Sequence, residues 1–297
     1  MTRLRRAIDV GVISVVVAMA ATSRARGASA CDCARFADEV AAARAVYASR
    51  GEGATLELAS AARERFRDRV LDAYERARCL VDCASVPERA RDEARALLAE
   101  TACKSRSLGP SADAARARVD HAFAETVRCL GHEPALPACH RWHGTIVGER
   151  AEASWNPMQL ALPRQLLAEF RAARAGASPG ADPPDGGVTR AEATLLMRAP
   201  RIAGGDTGAA VRLMEEASHV STFDCTVDNR VVYAEALWRS GASAPALGEL
   251  RSALAAGPPS CGESRYENAI DLAEVARCVA RLEARPDADP GWSDDCE

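Results

Sequence analysis

His132, Cys139, His140 and His143 fall within twelve residues, with Cys129 three positions before the first of them. Thiolate sulfur and neutral imidazole nitrogen are the usual zinc ligands, so segment 129–143 is where a metal site or metal-assisted enzyme chemistry could be built. Its spacing matches no standard finger. In an oxidising compartment Cys129 and Cys139 are expected in disulfides, which leaves the histidines as surface loop residues. His121 and His219 stand alone on predicted helices. Cys79-Leu80-Val81-Asp82-Cys83 puts three residues between its sulfurs and has no strand-helix-strand context, which favours a structural bridge over a redox pair. The chain contains no Gly-x-Ser-x-Gly, His-Glu-x-x-His, phosphate loop or dinucleotide fingerprint, and Asp294-Asp295 lie in a polar tail. The sequence therefore nominates no catalytic residue and no cofactor. An enzyme or metal protein using segment 129–143 is the alternative reading; a helical interaction protein is the leading one.

The eleven cysteines stand at 31, 33, 79, 83, 103, 129, 139, 225, 261, 278 and 296. That density reads as the disulfide framework of an exported chain. Arg3, Arg5 and Arg6 precede an apolar run from Val10 to Ala21, and Ala18-Met19-Ala20 and Ala28-Ser29-Ala30 supply small-x-small sites. This is a secretory signal layout; its apolar run is shorter than the roughly 20 residues of a spanning helix. The expectation is a periplasmic or secreted protein without a transmembrane helix in the mature chain. Cys31, directly after Ala30, is where a lipid anchor would attach, although Arg24 and Arg26 intervene and position 28 departs from a lipoprotein box. Removing residues 1–30 takes away five arginines and one aspartate and leaves a net charge near −8. Such a chain is repelled by phosphates, which argues against nucleic acid as a partner.

Only 4% of the residues are aromatic, while 48% are hydrophobic and many of these are alanine. Cores of that composition are thin and helical, so the expected fold class is all-α. Residues 34–49 read as a helix. Ala59, Ala62, Phe66, Val70, Ala73, Ala77 and Leu80 recur at steps of three and four, which places a second helix over 55–80. Ser85-Val86-Pro87-Glu88 is a capping box opening a third helix to about Cys103, and Gly109-Pro110-Ser111 precedes a fourth to about Leu130. Together they predict a bundle of four antiparallel helices. Residues 131–157 read as irregular, with Thr145-Ile146-Val147 as a short strand, before a helix carrying Leu160, Leu166, Leu167 and Phe170. The expected organisation is a signal peptide 1–30, a cysteine-rich helical domain 31–174, a linker 175–187, a second helical domain 188–285 and an acidic tail 286–297.

Past the linker, Gly205, Ala210, Met214 and Ala217 recur as Gly241, Ala246, Leu250 and Ala253, each 36 residues later. The unit from Tyr233 through Gly241, Ala246, Ala253 and Pro258 resembles a tetratricopeptide repeat. The unit from Val188 to Thr222 resembles one less closely, because Pro200 falls inside its expected first helix and Arg198 and Arg201 stand where small and apolar residues are usual. A capping helix follows from Ser264 to about Ala284. The resemblance implies a hairpin array whose first helices line a concave face for a protein or peptide partner, with Arg198, Arg201, Arg230, Glu235 and Trp238 as groove candidates. Trp238 could equally fill the joint between repeat and cap.

Disulfide partners follow from hairpin geometry, since residues facing each other mirror about the turn. Cys83 and Cys129 mirror about Arg106, which pairs them; Cys79 is left for Cys33 or Cys31, and Cys103 for Cys139. Cys225 and Cys261 flank one hairpin at its open end and should bond. Cys278 and Cys296 would tie the acidic tail to the capping helix.

Overall fold

The computed structural model describes residues 31–51, 60–106, 108, 111–132, 134–153, 161–176, 186–259, 261, 265–285 and 292. The protein is all-α: the described residues form eleven α-helices and contain no strand. The helices are α1 (Phe36–Ala48), α2 (Ser60–Val81), α3 (Asp92–Lys104), α4 (Ala112–Leu130), α5 (Pro137–Ala153), α6 (Leu162–Gly176), α7 (Gly187–Arg198), α8 (Thr207–Ser218), α9 (Val227–Arg239), α10 (Ser243–Ala256) and α11 (Arg265–Ala284). Each packs on the next wherever two are consecutive, from α1 on α2 to α10 on α11. The odd-numbered helices also touch one another in the pairs α1 and α3, α3 and α5, α7 and α9, and α9 and α11. Antiparallel hairpins therefore stack in series. Helix α11 also reaches α2 and the turn Ser49–Gly51, where Phe66 and Tyr266 meet with ring centroids 5.0 Å apart.

The apolar stripe of α2 is buried along its length, with Val70, Ala73 and Ala77 at 0% exposure. Alanine at these positions lets the neighbouring helices approach closely. Helix α4 starts where Ser111 predicts it, the Ser111 side chain accepting a hydrogen bond from Ala114 N, and Asp206 caps α8 in the same way through Ala209 N. The box at Ser85–Glu88 is not used as a side-chain cap. Pro87 instead precedes a 3-10 turn (Glu88–Arg91), and the Glu88 carboxylate pairs with Arg91 and Arg95.

The expected irregular stretch with a strand at Thr145–Val147 is overturned by α5, which runs through it. Cys139, Trp142 and Ile146 lie on its buried face at helical spacing. Glycine and β-branched residues weaken its intrinsic propensity, and packing overrides them. At Gly144 a Cβ atom would stand 2.8 Å from Phe170 Cε1 of α6, so the glycine permits the close contact of the two helices. Gly144→Ala is expected to cost about 1–3 kcal/mol through overpacking against the buried Phe170 ring, read as a lower urea midpoint with unchanged slope. Pro200 also lies outside its expected helix: α7 stops at Arg198, Ala199 is extended and Pro200 precedes the 3-10 turn Arg201–Ala203.

The bridges are Cys31–Cys79, Cys33–Cys83, Cys129–Cys139 and Cys225–Cys261. Cys225–Cys261 joins the residues expected, and Cys79 takes Cys31. The expected pairing of Cys83 with Cys129 is replaced, because Cys83 lies just past the end of α2, outside the α3–α4 hairpin, and bonds Cys33. Cys31 and Cys33 both precede α1, so the mirror of its hairpin with α2 does not set their positions, and they meet the last turn of α2 and the turn just after it. Cys129, at the end of α4, meets Cys139 across the short connection to α5. Cys103 is therefore a free thiol instead of the partner of Cys139. Cys278 is also disulfide-bonded; Cys296, its expected partner, lies outside the described residues, as do residues 1–30 and most of the tail.

Candidate functional site

Helices α3, α5 and α7 border a shared cavity of about 260 Å³. Cys103 and Lys104 at the end of α3, Trp142, Thr145 and Glu149 on α5, and Arg190 near the start of α7 line it, together with Arg141. Three cations and one carboxylate thus line the same cavity. Each is held in place: Lys104 Nζ is 3.0 Å from Glu267, Arg190 donates to Asn229 Oδ1 at 2.8 Å, and Arg141 lies over the Trp142 ring at 4.7 Å. Arg106 pairs with Glu149 at 2.8 Å. Burial pushes the Cys103 thiol up, so it stays protonated and is a poor nucleophile at neutral pH.

The five groove candidates sit elsewhere. Glu235 is buried in α9 and accepts from Arg239 at 2.7 Å and from Arg198 of α7 at 3.4 Å, so two of the five form a joint between hairpins. Arg230 pairs with Asp224 and with Glu249 of α10 at 2.8 and 2.7 Å. Trp238 packs in the core of α9–α11, its ring 6.3 Å from that of Trp292. Arg201 is exposed in the turn after α7. Lys104, Arg141 and Arg190 were not singled out in the sequence, because isolated cations on amphipathic helices carry no local signal; only the stacking order brings them together.

The cysteine- and histidine-rich segment is divided by the fold. Cys129 and Cys139 are spent in their disulfide. His132 faces the Asp92 carboxylate at 2.8 Å, at the edge of a buried network in which Arg95 pairs with Asp92, Glu125 and Glu88. His121 lies 3.4 Å from the Tyr74 hydroxyl, and His219 is exposed. His140 and His143 share Glu169 of α6, which the sequence did not nominate: His140 Nδ1 is 2.5 Å from Glu169 Oε2 and His143 Nδ1 is 3.8 Å from Oε1. Phe123 stacks on His143 at 5.6 Å. The sulfurs of Cys31, Cys33 and Cys83 also gather within 4.8 Å of one another, but all three are consumed in disulfides. Cys31, with its sulfur bonded to Cys79, has none left for a lipid thioether.

No known protein family, curated protein or solved structure matches the chain.

Proposed function

We propose that the protein is an exported, disulfide-braced helical module that binds a protein or peptide partner along the face formed by its odd-numbered helices. The observation that carries this reading is the cavity between α3, α5 and α7, whose lining carries Lys104, Arg141 and Arg190 beside one carboxylate, Glu149. An acidic segment is the chemistry that such a cluster favours. The 36-residue repeat supports an array of the tetratricopeptide kind: Ala210 and Ala246 are both at 0% exposure, and Met214 and Leu250 are buried at the equivalent place one turn later. Export is supported by the disulfides and by the signal-like N-terminus. No helix among the described residues is long and apolar enough to cross a membrane.

The test is affinity capture from an envelope extract of the native host, with two single-charge variants. Thr145 is half-buried in the cavity wall. Thr145→Glu sets a competing carboxylate among the three cations and is expected to reduce capture at least about tenfold, equivalent to 1.4 kcal/mol, without lowering the melting temperature. Arg201→Glu, outside the cavity, should leave capture intact. Capture unaffected by Thr145→Glu refutes the assignment of this face.

A further inference from the structure

We propose that Cys31, Cys33, Cys79 and Cys83 form a thiol–disulfide exchange site, in which a low-molecular-weight thiol opens Cys31–Cys79 and the bridge then moves to Cys31–Cys83. The four cysteines stand in two neighbouring bridges that fasten the Cys31-Asp32-Cys33 segment to the end of α2. Cys79 and Cys83, four residues apart, do not pair with each other; each holds one sulfur of that segment.

Three observations carry the exchange. The first is contact between the bridges. Cys31 Sγ is 3.9 Å from Cys83 Sγ, and the sulfurs of Cys31, Cys33 and Cys83 all lie within 4.8 Å of one another. A thiolate released at Cys31 therefore stands beside the next disulfide. The second is access. Cys31, Cys33 and Cys79 are half-buried, whereas Cys83 is 2% exposed, so a small thiol reaches the Cys31–Cys79 bridge, and the exchange keeps the buried Cys83 sulfur bonded. The third is chain entropy. The separations are 48 and 50 for the bridges present and 52 for Cys31–Cys83, so the bridge moves without loss of constraint.

The reagent thiolate attacks Cys79 Sγ, forms a mixed disulfide there and releases Cys31 as a thiolate. Cys31 attacks Cys83 Sγ, forms Cys31–Cys83 and expels Cys33 as a thiolate. Cys33 opens the 3-10 turn Cys33–Arg35 that leads into α1, and a thiolate is favoured near a helix N-terminus, which makes Cys33 a good leaving group. A second reagent thiolate attacks the reagent sulfur of the mixed disulfide, and Cys79 leaves. Two reagent thiols are oxidised to one reagent disulfide, and their two protons end on Cys33 and Cys79.

The site shares no residue with the proposed partner face, so its test is independent of that reading. The disulfide-intact protein is treated with reduced glutathione under native conditions, sampled over time, trapped with N-ethylmaleimide and mapped by mass spectrometry without reduction. In molecules that have lost one of the two N-terminal bridges, Cys31–Cys83 is expected to be more abundant than either original bridge, with maleimide on Cys33 and Cys79. A Cys31–Cys83 share below that of an original bridge, Cys33–Cys79 as the new bridge, or no opening of either bridge by glutathione overturns the proposal. A second arm needs no reagent. Cys33→Ser combined with Cys79→Ser leaves Cys31 and Cys83 of the four, and this variant, purified from an oxidising compartment, should carry a Cys31–Cys83 bridge. Two free thiols at these positions in a folded variant contradict the exchange. Should that variant fail to fold, the trapping on the unsubstituted protein decides alone.

Discussion

Replacing Arg95 with alanine is expected to destabilise the protein by about 3–5 kcal/mol. The Arg95 side chain is 1% exposed and its guanidinium is shared by the carboxylates of Asp92 and Glu125, which are themselves 9% and 3% exposed. It also donates to the Glu88 backbone carbonyl at 2.6 Å. Removing it deprives two buried carboxylates of the cation they share, with His132 left on Asp92 and Arg128 and His121 left on Glu125. The cost arises from that imbalance and not from the worth of the ion pairs. Arg95→Met combined with Asp92→Asn and Glu125→Gln should therefore recover most of the loss, since the network then disappears as a unit. Urea unfolding measures both. A loss below 1 kcal/mol for Arg95→Ala would show that water reaches the cluster.

Breaking Cys225–Cys261 by the paired Cys→Ser substitutions is expected to cost about 3–4 kcal/mol on the chain-entropy account. The bridge closes a loop of 36 residues around α9 and α10. Breaking Cys129–Cys139, which spans 10 residues, should cost less. At the N-terminus the outcome differs for a physical reason. Cys31–Cys79 and Cys33–Cys83 close nearly the same loop, with separations of 48 and 50, so either one alone retains most of the constraint. Losing one should cost little and losing both several kcal/mol. Denaturant titrations of the four single-bridge variants and of the variant lacking both N-terminal bridges decide the ranking; equal losses from all four single variants would contradict it.

Much of the fold was legible because it is written in local pattern. The stripe of α2, Ser111 at the start of α4 and the 36-residue register of Gly205–Ala217 with Gly241–Ala253 each specify a helix or a joint within one stretch of chain. The φ of +92° at Gly241 is the left-handed turn that its place between two helices required. Helix α5 was not legible: Gly144, Gly148 and the Thr145–Val147 run lower its local helix signal, and the compensation comes from Phe170 of another helix. The same limit hid the sites. Glu169 is one glutamate on an amphipathic helix, and nothing near it in sequence marks it as the partner of His140 and His143. Arg198 and Glu235 read as groove residues because their helix positions were right; their mutual pairing between α7 and α9 is a tertiary fact. Cys83 misled in the opposite way: the mirror of the α3–α4 hairpin points it at Cys129, whereas its partner Cys33 precedes α1, where no hairpin mirror sets its position.

Hydrogen–deuterium exchange of the protein alone and with its captured partner tests the central claim most directly. Binding on the face of the odd-numbered helices predicts slower exchange at the end of α3, through residues 141–149 of α5 and at the start of α7, while α8 and α10 are unchanged. Protection confined to α8 and α10, or a footprint that is the same in Thr145→Glu, would contradict it.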